Sequence, residues 1–390
     1  MGDADWVAGT HYLKNLLLAL ESLSSPDSID ITLVVPPSAG AQLSSNLGWW
    51  TAPVLPLPQR VFWGRVIMKL QGDLGIGLGV RPLRFASFLH AARIDAVFCQ
   101  GEFGPRFDVP LLSWIPDFQH LHLQHMFSRG EIRRRTRRFS RVAQHAGRVV
   151  LSSRDALADF QGFAPQAVHK VRVLPFVAQV PLAVYDVDPA WVCERYNLPA
   201  RFVYLPNQFW RHKNHQLVIR ALGIAKAVDP TLTVVCTGSA TDWRDPRYFG
   251  QLQAEIAALD LSANLVRLGL IPHADVFHLA RQSLAVLQPS LFEGWSTTVE
   301  EAKSLGKRVI VSDIPVHREQ NPPGAVFFDP HDAEALARCL VTTAGEGAAG
   351  PDQALEAAAR DALPARTRAF AQAFVRTVRE CSGSLAGVQG

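Results

Sequence analysis

Short runs of Val, Ile, Leu and Phe alternate with amphipathic stretches along almost the whole chain, a pattern that a layered βα architecture accommodates. The first set of runs is Ile31–Pro36, Ala52–Leu57, Asp95–Gln100, Leu111–Ile115, Arg148–Ser152 and Val171–Phe176. The second is Phe202–Leu205, Leu232–Thr237, Leu265–Gly269, Ala285–Gln288, Arg308–Ser312 and Ala325–Phe328. Between them, Val177 to Pro199 has no clear period and holds Pro181, Pro189 and Pro199, so the boundary falls there. Strands separated by helical crossovers pair in parallel, and the sequence predicts two successive α/β sheets. At 390 residues the chain suits two domains. The expected division is 1–180, a linker at 181–199, a second α/β domain at 200–350, and Ala-rich helices at 351–390 interrupted at Pro364, able to cross back to the first domain. A doubly wound domain normally opens with a buried strand, which Met1 to Trp6 does not supply, so the expectation is either that the first domain lacks its first strand or that the sequence starts inside a longer reading frame.

Charge excludes several functions. The net charge is only +4, yet Arg129 to Arg148 holds eight Arg and one Glu, so the remainder of the chain is net negative. On a helix, Ile132, Thr136, Phe139, Ala143 and Ala146 form one stripe, with Arg133, Arg134, Arg135, Arg137, Arg138 and Arg141 around it. Read plainly this is an amphipathic domain helix; its basic face also suits anionic lipid headgroups. Without interleaved exposed aromatics, nucleic acid is not an expected partner. The five Cys are scattered and unpaired in spacing, and no basic-then-apolar leader or membrane-length apolar run occurs, so the reading is cytoplasmic with at most peripheral membrane contact.

The strongest chemical signal runs from Gln288 to Asp313 as strand, loop, helix, turn and strand. Thr297 and Glu300 are spaced as a capping box, and Gly306 stands where the helix must stop. The loop Glu293-Gly294-Trp295-Ser296 thus lies at the carboxyl end of a strand, where α/β sheets bind ligands. Gly294 allows close backbone approach, the helix start suits a phosphate, and Glu293 and Glu301 flank the point as acceptors for sugar or ribose hydroxyls. A solvated helix start with capping acids is the plainer alternative.

Three other segments carry chemistry-bearing residues. Asn207-Gln208-Phe209-Trp210-Arg211-His212-Lys213 follows the first strand of the second set; alone, Lys213 reads as an exposed cation opposing the helix dipole. Asp117, His120, His122 and His125 follow the strand Leu111–Ile115. Their H-x-H-x-x-H spacing invites zinc, but no acidic or Cys partner stands at ligand spacing, and a structural role for His120 stays open. Gly9 and Thr10 precede a helix, whereas Gly75-Ile-Gly77-Leu-Gly79 follows no strand and reads as a flexible loop.

The Glu293-to-Glu301 spacing with its glycine stop resembles the signature of family-4 retaining glycosyltransferases, and the other segments extend the likeness over most of the chain, with Glu319-Gln-Asn-Pro322 as a further similarity. The resemblance implies a GT-B fold: two facing doubly wound, Rossmann-like domains with the active site in the cleft between them. It implies transfer of a hexose from a nucleoside diphosphate sugar to a hydroxyl acceptor, a glycan or lipid-linked saccharide, in bacterial polysaccharide or lipopolysaccharide assembly. By that likeness Glu293 faces the donor sugar, Glu301 the ribose, and Asp117 and His120 the donor sugar and acceptor. Lys213, with Arg211 standing in for the family's arginine at Asn207, meets the diphosphate, as do Gly294, Trp295, Ser296, Thr297, Gly9 and Thr10. No metal and no cofactor beyond the donor are implied. A nucleotide-sugar epimerase of the same architecture and a non-catalytic sugar-nucleotide-binding protein are the competing expectations.

Overall fold

A computed structural model describes residues 7–24, 27–35, 53–57, 82–242 and 244–386. They fall into two compact units. The first comprises Met1–Phe118, Arg129–Val177 and Arg366–Gly390, the second Gln119–Ser128 and Ala178–Ala365. Among the described residues, no helix is long and apolar enough to cross a membrane.

The first unit begins with helix α1 (Val7–Glu21), followed by a parallel pair of strands, β1 (Leu33–Val35) and β2 (Val54–Pro56). After α2 (Pro82–Ala91), strands β3 (Val97–Cys99), β4 (Leu111–Ile115), β5 (Arg148–Leu151) and β6 (Val171–Val173) form a parallel sheet in sequential order. Helices α3 (Arg129–His145) and α4 (Arg154–Phe163) make two of the crossovers. Every residue of β4 is buried, including Ser113, whose hydroxyl donates to Gly101 O at 2.6 Å, which is why the strand reads as a mainly apolar run and not as an alternation. Tyr12 of α1 stacks on Trp114 of β4 at 3.9 Å between ring centroids, and Phe370 and Phe374 of the C-terminal helix bring two more rings against Tyr12 and Phe98.

One expectation changes here. Helix α1 begins at Val7, so Gly9 and Thr10 lie in its first turns and form no loop ahead of it, because Val7 and Ala8 continue the helix one turn further back than the glycine suggested. The expectation of a missing first strand rests on residues 1–6, and the glycine-rich segment 75–79 falls within 58–81; both lie outside the described residues.

The second unit is built on six parallel strands: β7 (Val203–Pro206), β8 (Val234–Thr237), β9 (Leu265–Gly269), β10 (Val286–Gln288), β11 (Val309–Ser312) and β12 (Val326–Phe328). Their spatial order is β12-β11-β10-β7-β8-β9, so the winding reverses between β7 and β10. Helices on the two faces are α5 (Trp191–Arg195), α6 (His215–Ala225), α7 (Tyr248–Ala258), α8 (His273–Gln282), α9 (Thr297–Leu305), α10 (Pro315–Gln320) and α11 (Ala333–Glu346). One core joins Val218, Leu222 and Leu336 to one face of the sheet; the other joins Phe277, Val299 and Leu305 to the opposite face. The Pro-containing stretch before β7 is ordered, and Val180, Val184, Val192 and Leu198 are buried in that second core.

The C-terminal segment is a single helix, α12 (Gln353–Ala386), not an interrupted pair. Pro364 removes one backbone donor and crowds the carbonyl of Arg360, but Leu363, Phe370 and Phe374 are buried on either side of it, and their packing offsets the roughly 3 kcal/mol that an interior proline costs.

Candidate active site

The sheet of the second unit puts the carboxyl ends of β7 and β10 side by side at the point where the winding reverses, the place where open α/β sheets hold ligands. A row of four side chains crosses this point. Asn207, just past β7, donates from Nδ2 to Gln288 Oε1 at 2.5 Å; Gln288 Nε2 donates to Glu293 Oε1 at 2.8 Å; and Lys213 Nζ meets the same oxygen at 2.5 Å. The Lys213 and Glu293 side chains are 15% and 11% exposed, enough to reach a ligand but shielded enough for charge to act strongly.

Local chain geometry fixes each member of the row. Lys213 ends a 3₁₀ turn, Arg211–Lys213, and Asn214 then takes the left-handed conformation at φ 59° and donates to the carbonyls of Pro289 and Pro330. Leu291 N donates to His212 O at 2.8 Å, which ties the Glu293 loop to that turn. Gly238 closes β8 at φ +123°, and a Cβ there would come within 2.4 Å of Asn207 O, so only glycine lets the two strand ends approach.

The loop 289–296 leads into α9, whose N-cap is Ser296: its side chain accepts from Val299 N. Thr297 is therefore the first helical residue and not the N-cap that the capping-box spacing suggested, so the helix starts one place earlier; the buried Glu300 carboxylate accepts from Gln320 Nε2 at 3.4 Å. Gly306 ends the helix in the left-handed conformation, and a Cβ there would come within 2.5 Å of Leu355 O. Glu301, one turn into α9, pairs with His273 Nε2 at 3.1 Å.

The remaining expected residues are distributed differently. Arg211 points away from the row: half exposed, it pairs with Asp245 at 3.0 Å. A neighbouring carboxylate has thus taken the guanidinium expected to replace a cation at Asn207. A second largely buried cation of this region is Arg244, which sequence reading missed; it bonds Asp242 Oδ1 and Gln119 Oε1, lies 3.3 Å from His212 Nδ1, and packs over Trp210. His120 is fully buried in the short helix Gln119–His122, while His122 lies against Phe292 and His125 is exposed. Asp117 follows β4 and is partly exposed. Gln288 and Gln320 also escaped assignment; the only sequence signal was their presence inside motifs valued for other residues.

Two fully buried histidines frame the row. His215 stacks on Phe209 at 4.2 Å and His317 Nδ1 hydrogen-bonds the Ser312 carbonyl at 2.9 Å. Burial, reinforced by Lys213, pushes His215 down to about 3, and burial pushes His317 down to about 4. Both groups titrate near 6.5 in the unfolded chain, so the unfolded state binds more protons below that pH, and stability is lost as the pH falls through 6.5 toward 4. His215→Leu, which keeps the volume and removes the titrating ring, is expected to flatten the fall in melting temperature between pH 7 and pH 4.5; an unchanged slope would assign the acid sensitivity elsewhere.

Residues 196–341 match the family described as glycosyl transferases group 1. The matched stretch lies within the second unit. The O-antigen chain mannosyltransferase RfbU of Salmonella typhimurium is 28% identical over 126 residues, 32% of this chain, and the match spans about a third of that relative's length (33%). Among solved structures, Anabaena HepE in complex with UDP and glucose shares 17% identity with a TM-score of 0.61, over 97% of this chain and 95% of its own. A glycosyltransferase from Rickettsia africae shares 15% identity with a TM-score of 0.60, over 97% and 94%. The fold is GT-B.

Proposed function

We propose that the protein is a retaining, family-4 type glycosyltransferase that moves a hexose from a nucleoside diphosphate sugar to a hydroxyl of a glycan or lipid-linked saccharide. The observation that carries this reading is the row Asn207, Gln288, Glu293 and Lys213 at the switch point, next to the capped start of α9. Lys213 and the first-turn N–H groups of α9 supply positive charge for a diphosphate, and Glu293 supplies a carboxylate held in place from two sides. Glu301 offers acceptors to ribose hydroxyls.

In the reaction we propose, the acceptor oxygen bonds the anomeric carbon on the face from which the diphosphate departs, and the acceptor proton passes to the departing phosphate oxygen. Glu293 then stabilises positive charge developing on the sugar, and no metal is required for the leaving group. The mannosyltransferase name of the Salmonella relative and the UDP and glucose bound to the Anabaena protein favour a hexose donor and a bacterial surface polysaccharide as the setting. The exposed Arg129, Arg133, Arg134 and Arg137 of α3 would hold the protein peripherally on the cytoplasmic face of an anionic membrane.

A melting-temperature panel of UDP-, GDP-, ADP- and dTDP-sugars tests the reading. One donor is expected to raise the melting temperature, by about 2.7 kcal/mol of linkage at a hundred times its Kd. Lys213→Ala and Glu301→Ala are expected to cut that shift sharply. No shift with any donor would sink the proposal.

A further inference from the structure

Gln320 closes α10 and is fully buried, yet it is the side chain that holds the diphosphate loop in place. Its Oε1 accepts from Ser296 N at 3.2 Å, its Nε2 donates to Ser296 O at 2.9 Å, and the same Nε2 lies 3.4 Å from Glu300 Oε2. All three contacts agree on one amide orientation, since a carbonyl and a carboxylate demand the NH₂ end and the Ser296 N–H demands the oxygen. The backbone carbonyl of Gln320 in turn accepts from Lys303 Nζ at 2.6 Å, so α9 and α10 are tied at a second point. The left-handed Asn321 and Pro322 end α10 directly after this residue, which fixes where its side chain starts.

Ser296 is the hinge of the loop. It caps α9 through Val299 N, and its carbonyl accepts from Glu300 N at 3.0 Å. With its own N–H taken by Gln320, the Ser296 peptide has one orientation left, and that sets the direction of the Thr297 and Thr298 N–H groups, which have no intrahelical partner. We infer that Gln320 is a positioning residue for the nucleotide-sugar site: it presents the amides at the start of α9 to the phosphates without touching the ligand. The inference rests on the nucleotide-sugar reading above and adds a residue, beside Lys213, on which phosphate affinity, as distinct from base and ribose affinity, depends.

The variants Gln320→Met and Gln320→Glu test it by calorimetric titration with UDP, GDP, ADP and dTDP, then with the unphosphorylated nucleoside of whichever base the wild type binds. Methionine keeps the length and loses every hydrogen bond; glutamate keeps the shape and sets two acceptors against Ser296 O and the Glu300 carboxylate. Both are expected to weaken nucleoside diphosphate binding by about tenfold to a hundredfold and to leave nucleoside binding within about twofold. Equal losses for diphosphate and nucleoside would mark Gln320 as a general stabiliser and overturn the assignment. Unchanged diphosphate binding in both folded variants would overturn it too, with the transferase reading intact. A wild type that binds none of the four diphosphates overturns that reading and this assignment together. Should Gln320→Met fail to fold, Gln320→Glu decides by the same criteria, and Glu300→Gln, which keeps the Ser296 contacts of Gln320 and replaces the carboxylate facing Nε2 by an amide, is expected to retain diphosphate binding within about threefold; a tenfold loss there would shift the role from Gln320 to Glu300.

Discussion

Glu293→Gln is expected to lower turnover of the preferred nucleotide sugar by about 10²–10³-fold while donor affinity changes little. Glutamine is nearly the same size, and its amide oxygen still accepts from Lys213 Nζ and Gln288 Nε2, so the row across the switch point is retained. What disappears is the negative charge. If that charge faces carbon as the bond to the diphosphate breaks, its loss is felt in the transition state and not in the bound donor, so the effect falls on kcat with KM nearly constant. Lys213→Ala should do the reverse, raising KM through lost contact with the phosphates. Initial rates across a donor concentration series, with separate titration of the nucleoside diphosphate, distinguish the two. Equal kcat for wild type and Glu293→Gln would mean that the carboxylate does not face the reacting sugar.

The fold was open to sequence reading because its central strands, β4, β7, β8, β10 and β11, are largely buried on both faces. Leu111–Ile115 is apolar at every position but Ser113 and so announces itself, as do the cores of the other runs, each of which overlaps a strand. The candidate site was legible where glycine or charge marks it. Gly306 stands out because only a residue without Cβ passes Leu355 O, and Lys213 and Glu293 because a cation and an anion near strand ends ask for an explanation. Amide side chains give no such mark. Gln288 and Gln320 work by offering a donor and an acceptor on one group, and nothing in the chain near either residue says which backbone it will meet. Asn207 looked like a lost cation for the same reason; it is the first member of a hydrogen-bonded row whose second member is 81 residues away. The partner of Arg211, Asp245, comes from a loop after β8, and long-range pairing of that kind has no local period.

Arg281→Ala is expected to cost about 3–5 kcal/mol of stability, a large share of the 5–15 kcal/mol typical of a folded domain. Arg281 is 4% exposed and meets Glu356 through two parallel bonds, Nε to Oε1 at 2.7 Å and Nη2 to Oε2 at 3.1 Å. Its remaining Nη1 donates to the carbonyls of Val184 and Val187 at 2.5 and 2.7 Å. One guanidinium thus joins α8, the chain entering the second unit and the first turn of α12. Lys307 extends the cluster, donating to the carbonyls of Arg281 and Gly350, and burial pushes its ammonium down to about 8. Removing Arg281 strands a buried carboxylate and two carbonyls at once. Glu356→Ala leaves the guanidinium its two carbonyls, so it should cost less than Arg281→Ala. The double change Arg281→Met with Glu356→Leu removes both charges and restores apolar volume, and is expected to recover part of the loss. Urea unfolding followed by far-ultraviolet circular dichroism measures all three. Single variants within about 0.5 kcal/mol of wild type would show that the cluster is no more than an exposed pair in energetic terms, and the anchoring of α12 would then rest on the packing of Leu363 and its apolar neighbours.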